Sequence, residues 1–156
     1  MKLKLGLYQI VLVSFLLLNS GCKTINAVVP PSTDITFNAS DDINPDINDR
    51  PSPVVVKIFE LSSRTIFDTQ DFFTLDESAE NVLGPDLIRK DELELQPSET
   101  REYAMTLGQN TRFVGVIVAY RDIDSSRWRS VVAVDPTGYD DVVINIEKIA
   151  VYNSEK

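Results

Sequence analysis

Apolar and polar residues alternate along most of this chain, in short runs separated by turn formers. "DITFNAS" puts Ile35 and Phe37 on one face of a short strand. "VVVKIFEL", residues 54–61, is rich in β-branched residues and reads as a strand outright. "ELELQ" sets Leu93 and Leu95 against glutamates, and "TREYAMTL" sets Tyr103, Met105 and Leu107 against Glu102 and Thr106. "RFVGVIVAY" and "RWRSVVAVD" follow, and "DVVINIEKIAVYN" ends the chain as one bent strand or two short ones. Between them lie "DDINPDINDRPSP", "PSE", "GQN", "DIDSS" and "PTGYD", rich in residues that turn the backbone. Seven or eight short strands with this punctuation predict an all-β sandwich or barrel.

Two segments break the period. Residues 62–90 carry Ile66, Phe67, Phe72, Phe73 and Leu75 without alternation. Ser62 or Ser63 is placed to cap a short helix, and Pro85 suits a first helical position. A small, partly helical insertion is expected there. The strand at 112–120 is apolar on both faces, with Phe113, Ile117 and Ala119 on one and Val114, Val116, Val118 and Tyr120 on the other. A strand with one wet face would alternate with polar residues. The phenylalanines of the insertion are the candidates to cover its second face.

The second break is at the N-terminus. Lys2 and Lys4 precede an apolar run from Leu5 to Leu18, then Ser20, Gly21 and the single cysteine, Cys22. That order is the layout of a secretory signal, and the run is short of the roughly 20 residues of a membrane span. The cysteine directly after two small residues resembles a bacterial lipobox, although Asn19 stands where leucine is usual. Residues 1–21 are therefore expected to be removed. Cys22 is expected to be acylated, residues 22–32 to form a tether stiffened by Pro30 and Pro31, and residues 33–156 to form the domain. Lys23, where aspartate would hold a lipoprotein in the inner membrane, favours sorting to the outer membrane with the domain facing the periplasm.

Charge and missing chemistry narrow the function. From Cys22 onward the chain holds 13 basic and 24 acidic residues, a net charge of −11. This argues against nucleic acid or an anionic surface as partner. There is no histidine, and an acylated Cys22 leaves no free thiol. Triads, histidine metal sites and thiol catalysis are thereby removed. Acid pairs such as Asp41-Asp42 and Asp140-Asp141 fall in loops and read as solvated turn residues. "DDINPDIND" alternates oxygen donors but lacks the glycine and terminal glutamate of an EF-hand loop. No metal, cofactor or enzymatic activity is expected.

One segment is long for its place. A loop beyond about 12 residues is usually functional or disordered, and 41–53 exceeds a hairpin turn. Its prolines limit unfolded freedom, and it carries Ile43 and Ile47, which a solvated turn does not need.

"NPDINDRPSPVVVKIFEL", residues 44–61, resembles the signature of the TssJ family, the outer-membrane lipoproteins of bacterial type VI secretion systems. "FDTQDFFTL", "LGPDLIRKDELELQPSET", "RFVGVIVAYRD" and "RWRSVVAV" resemble further family segments in order, although Ser98 follows Pro97 where the family usually has glycine. The resemblance implies a transthyretin-like β-sandwich of two antiparallel sheets with a short helical insertion. It also implies a scaffold that binds the C-terminal periplasmic domain of TssM and, through it, joins TssL in a membrane complex. The family's contact lies in the loop between the first two strands. Here that assigns partner contact to Asp42, Ile43, Asn44, Pro45, Asp46, Ile47, Asn48, Asp49 and Arg50. The isoleucines are expected to fill pockets in the partner, and Arg50 either to bridge the loop or to meet a partner carboxylate. A lipoprotein that binds a soluble glycan or peptide through its loops is the alternative.

Overall fold

A computed structural model describes residues 32–154. The readings of the signal segment, Cys22 and Lys23 lie outside the described residues.

Eight strands form two four-stranded sheets. They are β1 (Ser32–Ala39), β2 (Val54–Leu61), β3 (Leu87–Leu95), β4 (Thr100–Thr106), β5 (Phe113–Val118), β6 (Arg129–Ala133), β7 (Tyr139–Ile146) and β8 (Val151–Ser154). The sheet orders are β4-β1-β7-β8 and β3-β2-β5-β6. The chain changes sheet after β1, β3, β4 and β6, as a sandwich requires.

One pairing corrects the expectation of two antiparallel sheets. β1 lies parallel to β7, with Ile35 opposite Val142 and Phe37 opposite Ile144. A parallel pair cannot be joined by a hairpin and needs a long crossover. The crossover here carries the whole second sheet, β2, β3, β5 and β6, together with β4 of the first.

The alternation read from the sequence becomes burial. Ile35, Phe37, Leu95, Met105, Val114, Val116, Val118 and Ile144 meet in the core between the sheets. The final apolar segment is two strands, β7 and β8, joined by a tight turn in which the Glu147 N–H donates to Ala150 O.

The insertion supplies a second core. Helices α1 (Thr65–Thr69) and α2 (Phe72–Leu83) pack on the outer face of the β2–β5 sheet. Phe67, Phe72, Leu75, Ala79 and Leu83 cover Phe59, Leu61 and Ile117. Phe73 does not share this role: it is 60% exposed, its ring edge-on to Phe72 at 5.5 Å. Asp71 caps α2, accepting from the Thr74 N–H at 3.0 Å, a cap that the focus on Ser62 and Ser63 missed. α1 has Arg64 at its N-cap without a side-chain cap bond, although Ser63 Oγ accepts from the Thr65 N–H at 3.3 Å. Pro85 sits in the 3-10 turn Gly84–Asp86, and β3 begins directly after it at Leu87.

Three cations anchor the insertion, among them Lys90 of β3, which pairs with Glu80 of α2 at 2.6 Å. Lys57, on β2, pairs with the Asp76 carboxylate and donates to Asp76 O at 3.0 Å, where α2 bends at Ser78. Arg129 Nη1 donates to Phe67 O at 2.7 Å and Gln70 O at 2.9 Å. It thus satisfies the open carbonyls at the C-terminal end of α1, the end where a positive charge is favoured. Its guanidinium lies 4.7 Å from the Trp128 ring, which in turn meets Phe72 edge-on at 5.4 Å. Trp128 and Arg129 therefore hold the insertion in place.

Ser98 explains a departure noted above. It has φ +64, a left-handed conformation that costs a residue with a Cβ about 1–2 kcal/mol. Ser98→Gly is expected to stabilise the domain by about 0.5–1 kcal/mol, the remainder being lost to the freer unfolded chain. Thermal unfolding should show a rise of roughly 2–4 °C. A lower midpoint would show that the serine hydroxyl outweighs backbone strain.

Candidate functional site

The β1–β2 loop, residues 40–53, sits at one end of the sandwich. The β3–β4 turn, the loop after β5 and the β7–β8 turn lie at the same end. The registers require this, because Ala39 opposes Ile146, Val54 opposes Leu95 and Val56 opposes Val118. β1 starts at the opposite end, where Ser32 opposes Thr106 and Tyr139.

The loop is built in two stages. Its base is nailed to the sandwich. Ile43 is fully buried in the main core, which corrects the expectation that it fills a partner's pocket: the sandwich itself takes it. Asn44 is also buried and carries φ +46, a conformation asparagine tolerates better than most residues. Its N–H donates to Lys148 O at 2.9 Å and its side-chain amide to Pro53 O at 2.8 Å. Its side-chain oxygen accepts from the Arg121 N–H at 2.8 Å. One residue, through its backbone and its side chain, thus ties three loops together. Tyr120 adds a fourth tie, its buried hydroxyl donating to Glu147 O at 3.2 Å.

The tip is closed by Asp46. The Asp46 N–H donates to Arg50 O at 2.9 Å, and the Asp49 N–H donates to Asp46 O at 3.0 Å. One carboxylate oxygen accepts from the N–H groups of Asn48 at 2.8 Å and Arg50 at 3.1 Å. The other accepts from Arg50 Nε at 2.8 Å and meets Arg50 Nη2 at 2.6 Å. These bonds hold the Asp46 carboxyl below the usual carboxylate range, the Arg50 side chain contributing most and the field of Arg121 least. Of the two roles expected for Arg50, the structure shows the bridge. Asp49 lies in the left-handed region at φ +58 and accepts from Lys148 Nζ at 3.2 Å. Asp42 accepts from the Ser40 hydroxyl at 2.7 Å and stays at the base.

This construction leaves Ile47 projecting, its side chain fully exposed. Beside it opens a cleft of about 650 Å³ lined by Asn44, Pro45, Asp46, Ile47, Tyr120, Arg121, Asp122, Lys148 and Ile149. Ile149 is also exposed, at 38%. Of the residues assigned from the sequence, Asn44, Pro45, Asp46 and Ile47 line this cleft, while Asp42, Ile43, Asn48, Asp49 and Arg50 shape the loop around it. Tyr120, Arg121, Lys148 and Ile149 were not foreseen. They come from segments read as a polar loop and a strand, and no local signal joins them to residue 47. The Asp46 carboxylate, one of the alternating oxygen donors of residues 41–49, is turned onto the loop's own donors.

Comparison with known proteins fits this arrangement. The family model for type VI secretion lipoproteins, T6SS-SciN, described by the names VasD, EvfM and TssJ, matches residues 31–149. The crystal structure of the type VI secretion lipoprotein TssJ1 from Pseudomonas aeruginosa is similar at 31% identity and TM-score 0.78, over 81% of this chain and 97% of that one. Serratia marcescens Lip, a membrane-bound component of the type VI secretion system, shares the fold at 24% identity and TM-score 0.75, over 82% and 99%. A chain of a type VI membrane complex is 25% identical with TM-score 0.70, over 78% and 95%. Among curated proteins the comparison found no match. A sandwich with this helical insertion, matched by the family over residues 31–149, makes the chain a member of the TssJ family of type VI secretion lipoproteins.

Proposed function

We propose that this chain is the outer-membrane anchor of a type VI secretion membrane complex, holding the C-terminal periplasmic domain of TssM and, through TssM, linked to TssL. The observation that carries this reading is the polarity of β1. The strand starts at one end of the sandwich and delivers the chain to the 40–53 loop at the other. Eight residues at about 3.4 Å each separate the two ends by roughly 24–27 Å. A domain tethered through its N-terminus therefore presents this loop away from its attachment, toward the periplasm. A rigid loop with an exposed isoleucine suits a protein partner, because little ordering entropy remains to be lost on binding. A glycan is a poorer occupant, since the aromatic residue of the cleft, Tyr120, is buried and offers no stacking face.

The anchor and the sorting are tested together by membrane fractionation. Wild-type protein should take up a clickable fatty acid and float with outer membrane, and TssM should co-purify with it. Cys22→Ser should remain unlabelled. Lys23→Asp should move the protein to the inner membrane and lower secretion, because a bridge with both ends in one membrane spans nothing. A labelled Cys22→Ser protein, or outer-membrane flotation of Lys23→Asp, would overturn the corresponding step.

A further inference from the structure

The cleft beside Ile47 has a charge arrangement of its own. The Asp46 carboxylate is bonded to Arg50 and lies in the field of Arg121. Arg121 has its backbone N–H committed to Asn44, but its guanidinium is within ion-pair distance of no carboxylate among the described residues. The adjacent carboxylate, Asp122, accepts from the Ser125 N–H at 3.3 Å, and Lys148 is taken by Asp49. The charged residues lining the cleft, Asp46, Asp122, Arg121 and Lys148, balance, but of the cations here Arg121 alone has no carboxylate partner among the described residues. The same cleft is lined by Ile47 and Ile149, both exposed.

Resting on the docking role above, we propose that Arg121 determines specificity at this cleft, and that its occupant is an acidic segment of the partner. The segment places an aliphatic or aromatic side chain between Ile47 and Ile149, with a neighbouring carboxylate on the Arg121 guanidinium. A guanidinium is the cation suited to this role, since its planar fork meets a carboxylate through two parallel hydrogen bonds. An anionic membrane surface does not fit. Asp122 lines the cleft and Asp42 and Asp49 are exposed on the adjoining loop, and together they repel an extended negative surface. A single carboxylate beside an apolar anchor passes between them. The same acids discriminate against partner segments whose negative charge is placed differently.

Calorimetry with the TssM C-terminal periplasmic domain tests the assignment. Arg121→Glu should weaken binding by about 10- to 100-fold, Arg121→Lys by less than about tenfold, and the wild-type affinity should fall with added salt. Thermal midpoints should change little, because the Arg121 side chain makes no hydrogen bond or ion pair among the described residues and acts on Asp46 only through its field. A lysine scan of the partner's acidic residues should find one position that restores binding to Arg121→Glu. Wild-type affinity in Arg121→Glu, alongside lost binding when the Asp46–Arg50 tip is replaced, would overturn this inference and leave the docking role intact. Wild-type affinity in both variants would overturn the docking role as well. Tighter binding by Arg121→Glu would mean a basic segment occupies the cleft, which also overturns the inference.

Discussion

Replacing the tip of the β1–β2 loop, Asp46 to Arg50, with a short Gly-Ser turn should abolish partner binding and leave the sandwich folded. The two ends of this segment are already hydrogen-bonded to each other, so a short turn closes the gap without strain. Ile43 and Asn44 remain in place, and with them the ties to Pro53, Lys148 and Arg121. What is lost is Ile47 and the rigid frame that presents it. Fully burying an isoleucine is worth about 1.5–3 kcal/mol, and the loss of preorganisation adds to that. Affinity for the TssM periplasmic domain should therefore fall by about 100-fold or more. The unfolding midpoint should change by no more than a few degrees, since loops tolerate such exchanges. A larger excision that includes Ile43 would confuse the two effects, because Ile43→Ala alone should cost about 2–5 kcal/mol of stability. If the tip variant binds as the wild type does and its circular dichroism is unchanged, the interface lies elsewhere.

Phe67→Ala and Gly115→Val should both unseat the helical insertion, from opposite sides of one contact. Phe67 is fully buried, stacked obliquely on Phe59 at 5.2 Å, and its ring lies over Gly115. A Cβ on residue 115 would stand 2.7 Å from Phe67 Cζ and 3.1 Å from Leu61 Cδ1. Valine is ordinarily favoured over glycine in a strand, so pattern alone argues that Gly115→Val stabilises. The contact argues the reverse, with an overpacking cost of about 1–3 kcal/mol. Phe67→Ala should cost about 3–5 kcal/mol. The double variant should cost less than the two single ones together, because the valine then fills part of the space that the ring vacates. Chemical denaturation of the three variants decides it. A stabilised Gly115→Val protein, or strict additivity, would mean that the insertion does not press on β5 as described.

These contacts mark where local pattern stops being informative. That β5 is covered on both sides was legible, because an apolar residue at every position has no other physical explanation. Which phenylalanine covers it was not. Phe67, Phe72 and Phe73 are alike in sequence, yet Phe67 and Phe72 are buried and Phe73 is not. Helix phase and the gap at Gly115 make that choice. The role of Arg129 was not legible, since nothing near it in the chain signals the helix end 59–62 residues earlier that it caps. The parallel pairing of β1 and β7 was equally hidden, because strand direction in a sandwich follows from the order in which the chain crosses between sheets.

The sequence by itself determined the strand content, the interrupted pattern that becomes the insertion, and the family. All of these rest on period, composition or contiguous motif, which are properties of neighbouring residues. It also singled out the loop at 41–53, because length, proline and misplaced isoleucines are local features. The tertiary structure decided which part of that loop is surface. Ile43 and Ile47 are four residues apart and chemically identical, but the bonds of Asn44 sink the first into the core, while the turn closed by Asp46 lifts the second into solvent. It also decided that Arg121, Lys148 and Ile149 stand beside Ile47, because β1, β5 and β7 all end on the same side of the sandwich. Burial and adjacency of this kind depend on strand register across two sheets, and register is set by the packing of the whole core rather than by any one segment.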